Sequence, residues 1–270
     1  MKKVFIPVFM LLPLLTGCGQ TIHYADAETY TQYESAVLYT TETPIKNLEV
    51  DWIAGEIEIK VGDYFSFEEK NLEGKYHPLY YRLQDETLDI KYCQSDITID
   101  VDSNKKISIT VPESFETLDL DLTSGKYSVE IGSVTTFKVD MTSGGATFKA
   151  NTIDKFDIDV TSGHYSLEAN SIKEVVSDLT SGRTQITTGT LETADFNFTS
   201  GTAALTVNDS TKLKQIDVDV TSGSMTFNYD GVKGYYLNRN GKGSVVEGSD
   251  TSLEKFNFNF SCTSGSLTIN

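Results

Sequence analysis

Residues 118–163 read LDLDLTSGKYSVEIGSVTTFKVDMTSGGATFKANTIDKFDIDVTSG, and this stretch decides the fold. Thr-Ser-Gly stands at 123–125, 142–144 and 161–163, and returns at 180–182, 199–201, 221–223 and 263–265. Gly125, Gly144, Gly163, Gly182 and Gly201 recur every 19 residues, and the steps to Gly223 and Gly265 are 22 and 42. A short fixed period built around one turn is the mark of a stacked repeat.

Aligned on the glycine, the apolar residues fall into columns. Three, five and seven positions before it lie Leu122, Leu120 and Leu118, then Met141, Val139 and Phe137, then Val160, Ile158 and Phe156. Later repeats supply Leu179, Ser177 and Val175, then Phe198, Phe196 and Ala194, then Val220, Val218 and Ile216, then Cys262, Phe260 and Phe258. After the glycine, Tyr127, Val129 and Ile131 are matched by Ala146, Phe148 and Ala150, by Tyr165, Leu167 and Ala169, and by Met225, Phe227 and Tyr229. Nine positions on come Val134, Ile153, Ile172, Leu191 and Val232. This is period-two alternation on both sides of a glycine corner. One such unit cannot bury its apolar face alone, whereas a stack can. The expected fold is all-β: a parallel, right-handed β-solenoid of about 19-residue rungs with Thr-Ser-Gly corners. At the corner glycines (Gly125, Gly144, Gly163, Gly182, Gly201, Gly223 and Gly265), the chain needs positive φ or close backbone approach, and the hydroxyls can bond the turn.

Working outward, regular rungs are expected over 113–223, a degenerate rung and a C-terminal rung over 224–270, and irregular rungs back to 45. Leu48, Val50 and Trp52 before Gly55, with Ile57, Ile59 and Val61 after it, form a rung in which Ile-Ala-Gly replaces the usual corner. Strand candidates follow at 64–69, 80–84, 87–92, 97–101 and 107–111, enough for three or four rungs with long corners. Glu73–Pro78 reads as a loop and Asp85-Glu86 as a hairpin turn. Tyr235–Val246 reads as the degenerate rung, turning at Asn240-Gly241-Lys242-Gly243. The last strand, Ser266–Asn270, is expected to end the stack uncapped, as a template for pairing.

Upstream, Met-Lys-Lys, an apolar run from Val4 to Leu15 and then Leu-Thr-Gly-Cys form a secretory signal over 1–17. The run is too short to span a bilayer of roughly 30 Å. Leu15-Thr-Gly-Cys18 resembles the lipobox of bacterial lipoproteins, which implies lipid attachment at Cys18, cleavage before it and an extracytoplasmic, membrane-anchored address. Residues 18–44 are polar and read as a tether. The formal charge of −17 becomes −19 once Lys2 and Lys3 leave with the signal, a surface that repels phosphate backbones and excludes nucleic acid as partner.

Ile107-Ser-Ile-Thr-Val-Pro112, followed by Leu118-Asp-Leu-Asp-Leu-Thr-Ser-Gly125 and its repeats, resembles the bacterial β-strand-repeat family labelled "putative adhesin", over about residues 45–270. That domain of unknown function also forms the surface part of Lia-type envelope-stress proteins. The resemblance implies a strand-repeat fold and, through those relatives, sensing of envelope damage or antimicrobial peptides.

One outward column is unusual. Four positions before each glycine lie Asp51, Asp121, Asp140, Asp159, Asp178, Asn197, Asp219 and Ser261. Stacked carboxylates about 5 Å apart repel one another and need an offset. An Asx-type bond to the turn amide two residues on would supply one; a line of weak Ca²⁺ sites is the alternative. The same spacing approaches that of the paired carboxylates in retaining glycosidases, but the repeats from Gly125 to Gly201 carry no insertion to build a cleft. Cys93 and Cys262 lie many rungs apart, too far for a disulfide. The leading expectation is a non-enzymatic surface lipoprotein whose acidic face binds a cationic peptide, an envelope polymer or another protein. A scaffold assembling through the ends of the stack is the alternative, and a polysaccharide-active β-helix enzyme a third.

Overall fold

A computed structural model describes residues 20–24, 34–41, 43–70, 77–246 and 254–270. The signal segment 1–17, Cys18 and most of the loop at Glu73–Pro78 lie outside the described residues. The strands run as β1 (Gln20–Ile22), β2 (Glu34–Ser35), β3 (Leu38–Thr40), β4 (Asn47–Trp52), β5 (Glu56–Val61) and β6 (Ser66–Lys70). Next come β7 (Tyr80–Gln84), β8 (Thr87–Lys91), β9 (Ile97–Ile99), β10 (Lys106–Val111), β11 (Ser114–Leu122) and β12 (Lys126–Met141). The array continues through β13 (Gly145–Asp209), an extended run that passes through several corners, to β14 (Gln215–Tyr229), β15 (Gly234–Gly241), β16 (Ser244–Val246) and β17 (Lys255–Ile269).

The regular rungs pair in parallel and in the register set by the glycine. Leu118, Leu120 and Leu122 lie opposite Phe137, Val139 and Met141, which lie opposite Phe156, Ile158 and Val160. The alternation predicted for the apolar columns is met: the three columns before the glycine are buried throughout, from Leu118 to Cys262. Phe137, Phe148 and Phe156 meet edge to face at centroid distances of 5.1, 5.2 and 5.9 Å, a packing that aromatic quadrupoles favour. Ser177 is polar but fully buried because its hydroxyl bonds the Tyr165 hydroxyl at 2.8 Å. Two apolar assignments fail: Val61, at the end of β5, is 38% exposed, and Val232 is 55% exposed, since the chain turns outward at Gly231 (φ 74°) and Tyr235 is buried instead. The 22-residue step is absorbed by a single 3₁₀ turn at Ser210–Lys212, after which Leu213 fills the core.

The corners explain the tripeptide. A Cβ at Gly182 would stand 2.0 Å from the Gly163 carbonyl oxygen, and one at Gly144 2.4 Å from that of Gly125. Gly144 also takes φ 110°. The corners from Gly125 to Gly223 thus pack their backbone directly on the corner below, at a distance only glycine permits. The turn amides are consumed by this stacking, Thr142 N–H donating to the Leu122 carbonyl and Ser143 N–H to that of Thr123, both at 2.9 Å.

At both ends the spatial order departs from the sequence order. The rung β4–β5 lies between the rung β8–β10 and the rung β11–β12: β4 pairs in parallel with β8 and β11, and β5 with β10 and β12. The expected three or four rungs between Gly55 and Gly125 are therefore one parallel rung, covered by antiparallel strands. β7 folds back on β8 through Asp85 and Glu86, both at positive φ, and β6 runs antiparallel to β10. The segment read as a tether takes part in the fold, β1 pairing with β9, β2 with β7 and β3 with β6, with Ile22 buried. At the other end, β17 inserts between β14 and β15–β16. The final strand is thus covered, contrary to the uncapped end expected from sequence. The edge belongs to the degenerate rung, whose Gly241 sits directly on the Cys262 carbonyl.

Candidate acidic binding face

The period that sends Leu118, Leu120 and Leu122 inward sends Asp119 and Asp121 outward, and the parallel register stacks them rung upon rung. Asp51, Asp121 and Asp140 are register partners, as are Asp140 and Asp159, and Asn197, Asp219 and Ser261. The predicted column, with Asp178 in the same outward position, is therefore assembled on one face. Beside it runs a second column that the sequence reading passed over: Glu49, Asp119, Lys138 and Asp157, then Asp195, Asp217 and Asn259. The signal for it was present, two positions earlier in the same alternation. The rung β8 adds Asp89 and Lys91 to the two columns.

The offset for repulsion differs from the one expected. Asx-type bonds to the turn cannot form, because those amides already serve the carbonyls of the rung below. Lysines do part of the work. Lys138 contacts Asp140 closely and lies 3.8 Å from Asp119; Lys91 contacts Asp51 closely and lies 3.2 Å from Asp89. Amides do the rest: Asn259 donates to Asp217 at 2.6 Å and Gln215 to the same carboxylate at 2.5 Å. Among the described residues no group of three or more His, Cys, Asp or Glu side chains converges to hold a metal ion, so the line of Ca²⁺ sites finds no geometry here.

Repulsion persists nonetheless. Burial, followed by the charges of Asp51 and Asp140, pushes the Asp121 carboxyl up to about 6. Burial and then Asp140 and Asp178 raise Asp159; burial and then Asp217 and Asp178 raise Asp195. Two hollows open on this face, one of 280 Å³ lined by Asp195, Asn197, Asp217, Asp219, Asn238 and Asn259, the other of 320 Å³ lined by Asp159, Asp178 and Asp219 among others. The Asp face is therefore neither flat nor neutralised, and toward β17 it carries carboxylates and amides with no lysine in its columns.

The family match covers residues 45–270, under the description Toastrack DUF4097. The chain belongs to that family. No curated protein matches the sequence. Among solved structures, this Toastrack chain is similar to a "putative adhesin" from Bacteroides fragilis NCTC 9343, at 14% identity over 86% of this chain and 97% of that one, with TM-score 0.43. A "putative adhesin" from Parabacteroides distasonis ATCC 8503 matches at 11% identity over 87% and 96%, TM-score 0.43. A "putative lipid binding protein" from the same organism matches at 14% over 88% and 97%, TM-score 0.37.

The two cysteines among the described residues of the Toastrack domain are held inside it. Cys93 and Cys262 are both buried and form no disulfide with each other, and burial pushes Cys93 up to about 11, away from nucleophilic use at neutral pH. The Cys262 sulfur accepts the Gly243 N–H at 3.0 Å. Where the glycine column ends, Lys105 closes it. Its carbonyl accepts from Glu56 N–H at 2.9 Å, and its ammonium pairs with buried Glu69 at 2.8 Å while lying over the Tyr92 ring at 4.2 Å. Burial drives the Lys105 pKa down, with Glu69 opposing. This pair caps the core of the stack, and sequence offered no sign of it because its members lie 36 positions apart in irregular segments.

Proposed function

We propose that this Toastrack protein is a non-enzymatic surface protein that docks a polycationic partner on its acidic face. The observation that carries the reading is the pair of stacked carboxylate columns, in which burial and then the neighbouring carboxylates hold Asp121, Asp159 and Asp195 above their ordinary pKa. A partner bearing several ammonium or guanidinium groups relieves that repulsion as it binds, and a cationic peptide or a cationic envelope polymer has this chemistry. The lipobox-like Leu15-Thr-Gly-Cys18 supports an N-terminal lipid at Cys18 and an extracytoplasmic address in a bacterial envelope. Parallel in-register stacking supports a right-handed β-solenoid, since parallel crossovers adopt that hand.

Titration calorimetry with an oligolysine peptide tests this directly. Affinity should fall steeply as NaCl rises from about 0.05 to about 0.3 M, because the exposed part of the interaction is screened over a Debye length. The double variant D217N/D219N should bind several-fold more weakly. Salt-independent binding, or full affinity in that variant, would sink the reading.

The scaffold alternative keeps one supporting observation. The outer strand β15 pairs on one side with β17, and beside that edge Tyr236 and Val246 are each 63% exposed. A strictly monomeric species in sedimentation at high concentration would count against it.

A further inference from the structure

The face that follows the corner glycines has a different character from the acidic one. The first outward position after the glycine is occupied in neighbouring rungs by Glu56, Lys126, Gly145 and His164. Gly145 is the second glycine of Thr142-Ser-Gly-Gly145, and the two glycines do different things. Gly144 turns the corner at φ 110°. Gly145 has no left-handed φ, and a Cβ there would meet not backbone but the His164 ring, 2.6 Å from Nε2. Its missing side chain lets His164 lean across the rung and opens a hollow of 640 Å³, larger than either hollow on the acidic face.

We propose that this hollow is a second binding site, for an anionic saccharide unit carrying a carboxylate. Lys126 and His164 stand on either side of Gly145, and among the described residues neither side chain has an ion-pair or hydrogen-bond partner. On a chain of net charge −17, an unpaired cation beside such a hollow is the group for which an external anion is the fitting partner. The nearby acids Glu56 and Glu58 share Lys106 as counterion at 3.5 and 3.4 Å, which leaves part of their charge to set against Lys126 and weakens, without cancelling, their opposition to an anion. The floor is glycine and alanine backbone at Gly125, Gly144, Gly145 and Ala146, a low apolar surface against which the C–H face of a sugar ring can lie. Ser128 and Thr147 on the same wall supply hydroxyls for those of the ring. The volume falls in the range of small-ligand sites, roughly 300–1,000 Å³.

The test uses the full chain and calorimetric titration with a tetrasaccharide of alternating glucuronate and N-acetylglucosamine, its methyl ester, and neutral chitotetraose. The free acid should bind, and both neutral compounds at least about tenfold more weakly, the loss expected for one charged hydrogen bond. Lys126→Ala should cost a similar factor. Gly145→Thr fills the hollow with a residue already tolerated at the equivalent position Thr202, so it should abolish binding while the melting temperature holds. D217N/D219N, on the other face, should bind the sugar as the native chain does, which separates this site from the proposed cationic docking. Several results would overturn the proposal: no heat with the acid, equal binding of chitotetraose, preference for phosphatidylglycerol vesicles, or undiminished affinity in Gly145→Thr or Lys126→Ala.

Discussion

At the scale of single residues, two adjacent glycines show how little composition says without position. Gly144 and its counterparts pack backbone on backbone, whereas Gly145 faces a side chain that can rotate away. Gly182→Ala should therefore be severe: it adds a Cβ 2.0 Å from the Gly163 carbonyl oxygen at φ 144°. The expected loss is about 2–4 kcal/mol, combining overpacking with backbone strain, and chemical denaturation of the variant would measure it. A loss below about 0.5 kcal/mol would mean the corner relaxes freely. The corner glycines were legible in the sequence because their constraint is local and repeats. Lys91 was not read as a counterion because it joins the columns only through the lateral register. Residues such as Asp119 and Lys138 could have been placed on that face by the alternation alone.

At the scale of elements, the most consequential strand is β17. It is last in the chain but lies inside the stack, pairing over its length with β14 on one side and with β15 and β16 on the other. Phe256, Phe258 and Phe260 are all buried there, and Phe258 meets Phe227 at 5.6 Å between centroids. Removing 254–270 should leave β14 and β15 without their shared neighbour and expose the Phe227 side of the core. A chain ending at 253 should lose its sharp thermal transition and aggregate, as measured by scanning calorimetry and light scattering. A soluble, cooperatively melting truncation would show that β15 can close directly on β14. The strand itself was predictable from its alternation, but its place was not. Every rung presents the same inward pattern and the same glycine, so any rung can stack on any other, and only loop closure and the fit at the ends select the order.

At the scale of the whole molecule, charge is distributed unevenly between the faces. Carboxylates concentrate before the corner, while after it Lys106, Lys126, Lys149 and Arg183 stand among Glu56, Glu58, Glu130 and Glu168. The acidic face bears on stability with a definite sign. Asp121 holds its proton with a pKa of about 6 in the folded chain, against roughly 3.9 in the unfolded one. Between those values the folded state binds the extra proton, so its contribution is fully present below the unfolded pKa and is lost as pH rises through about 6. Glu49, Asp119, Asp159 and Asp195 are raised as well and act in the same direction. The melting temperature should accordingly be higher at pH 5 than at pH 7, by about 2–6 °C after allowing for solvent screening. A melting temperature that falls over this interval would show that the columns are not under net repulsion.

By itself the sequence determined which residues face the core, where the chain turns, and that carboxylates recur on one side of each turn. Those are consequences of period-two geometry and of glycine sterics, both written within a few residues. The tertiary structure alone decided the order of the end rungs, the use of residues near the N-terminus as edge strands, the lysines that bridge the acidic columns, and the hollow beside Gly145. Each of those depends on which rung lies against which, a choice made by long-range closure that a repeating pattern leaves degenerate.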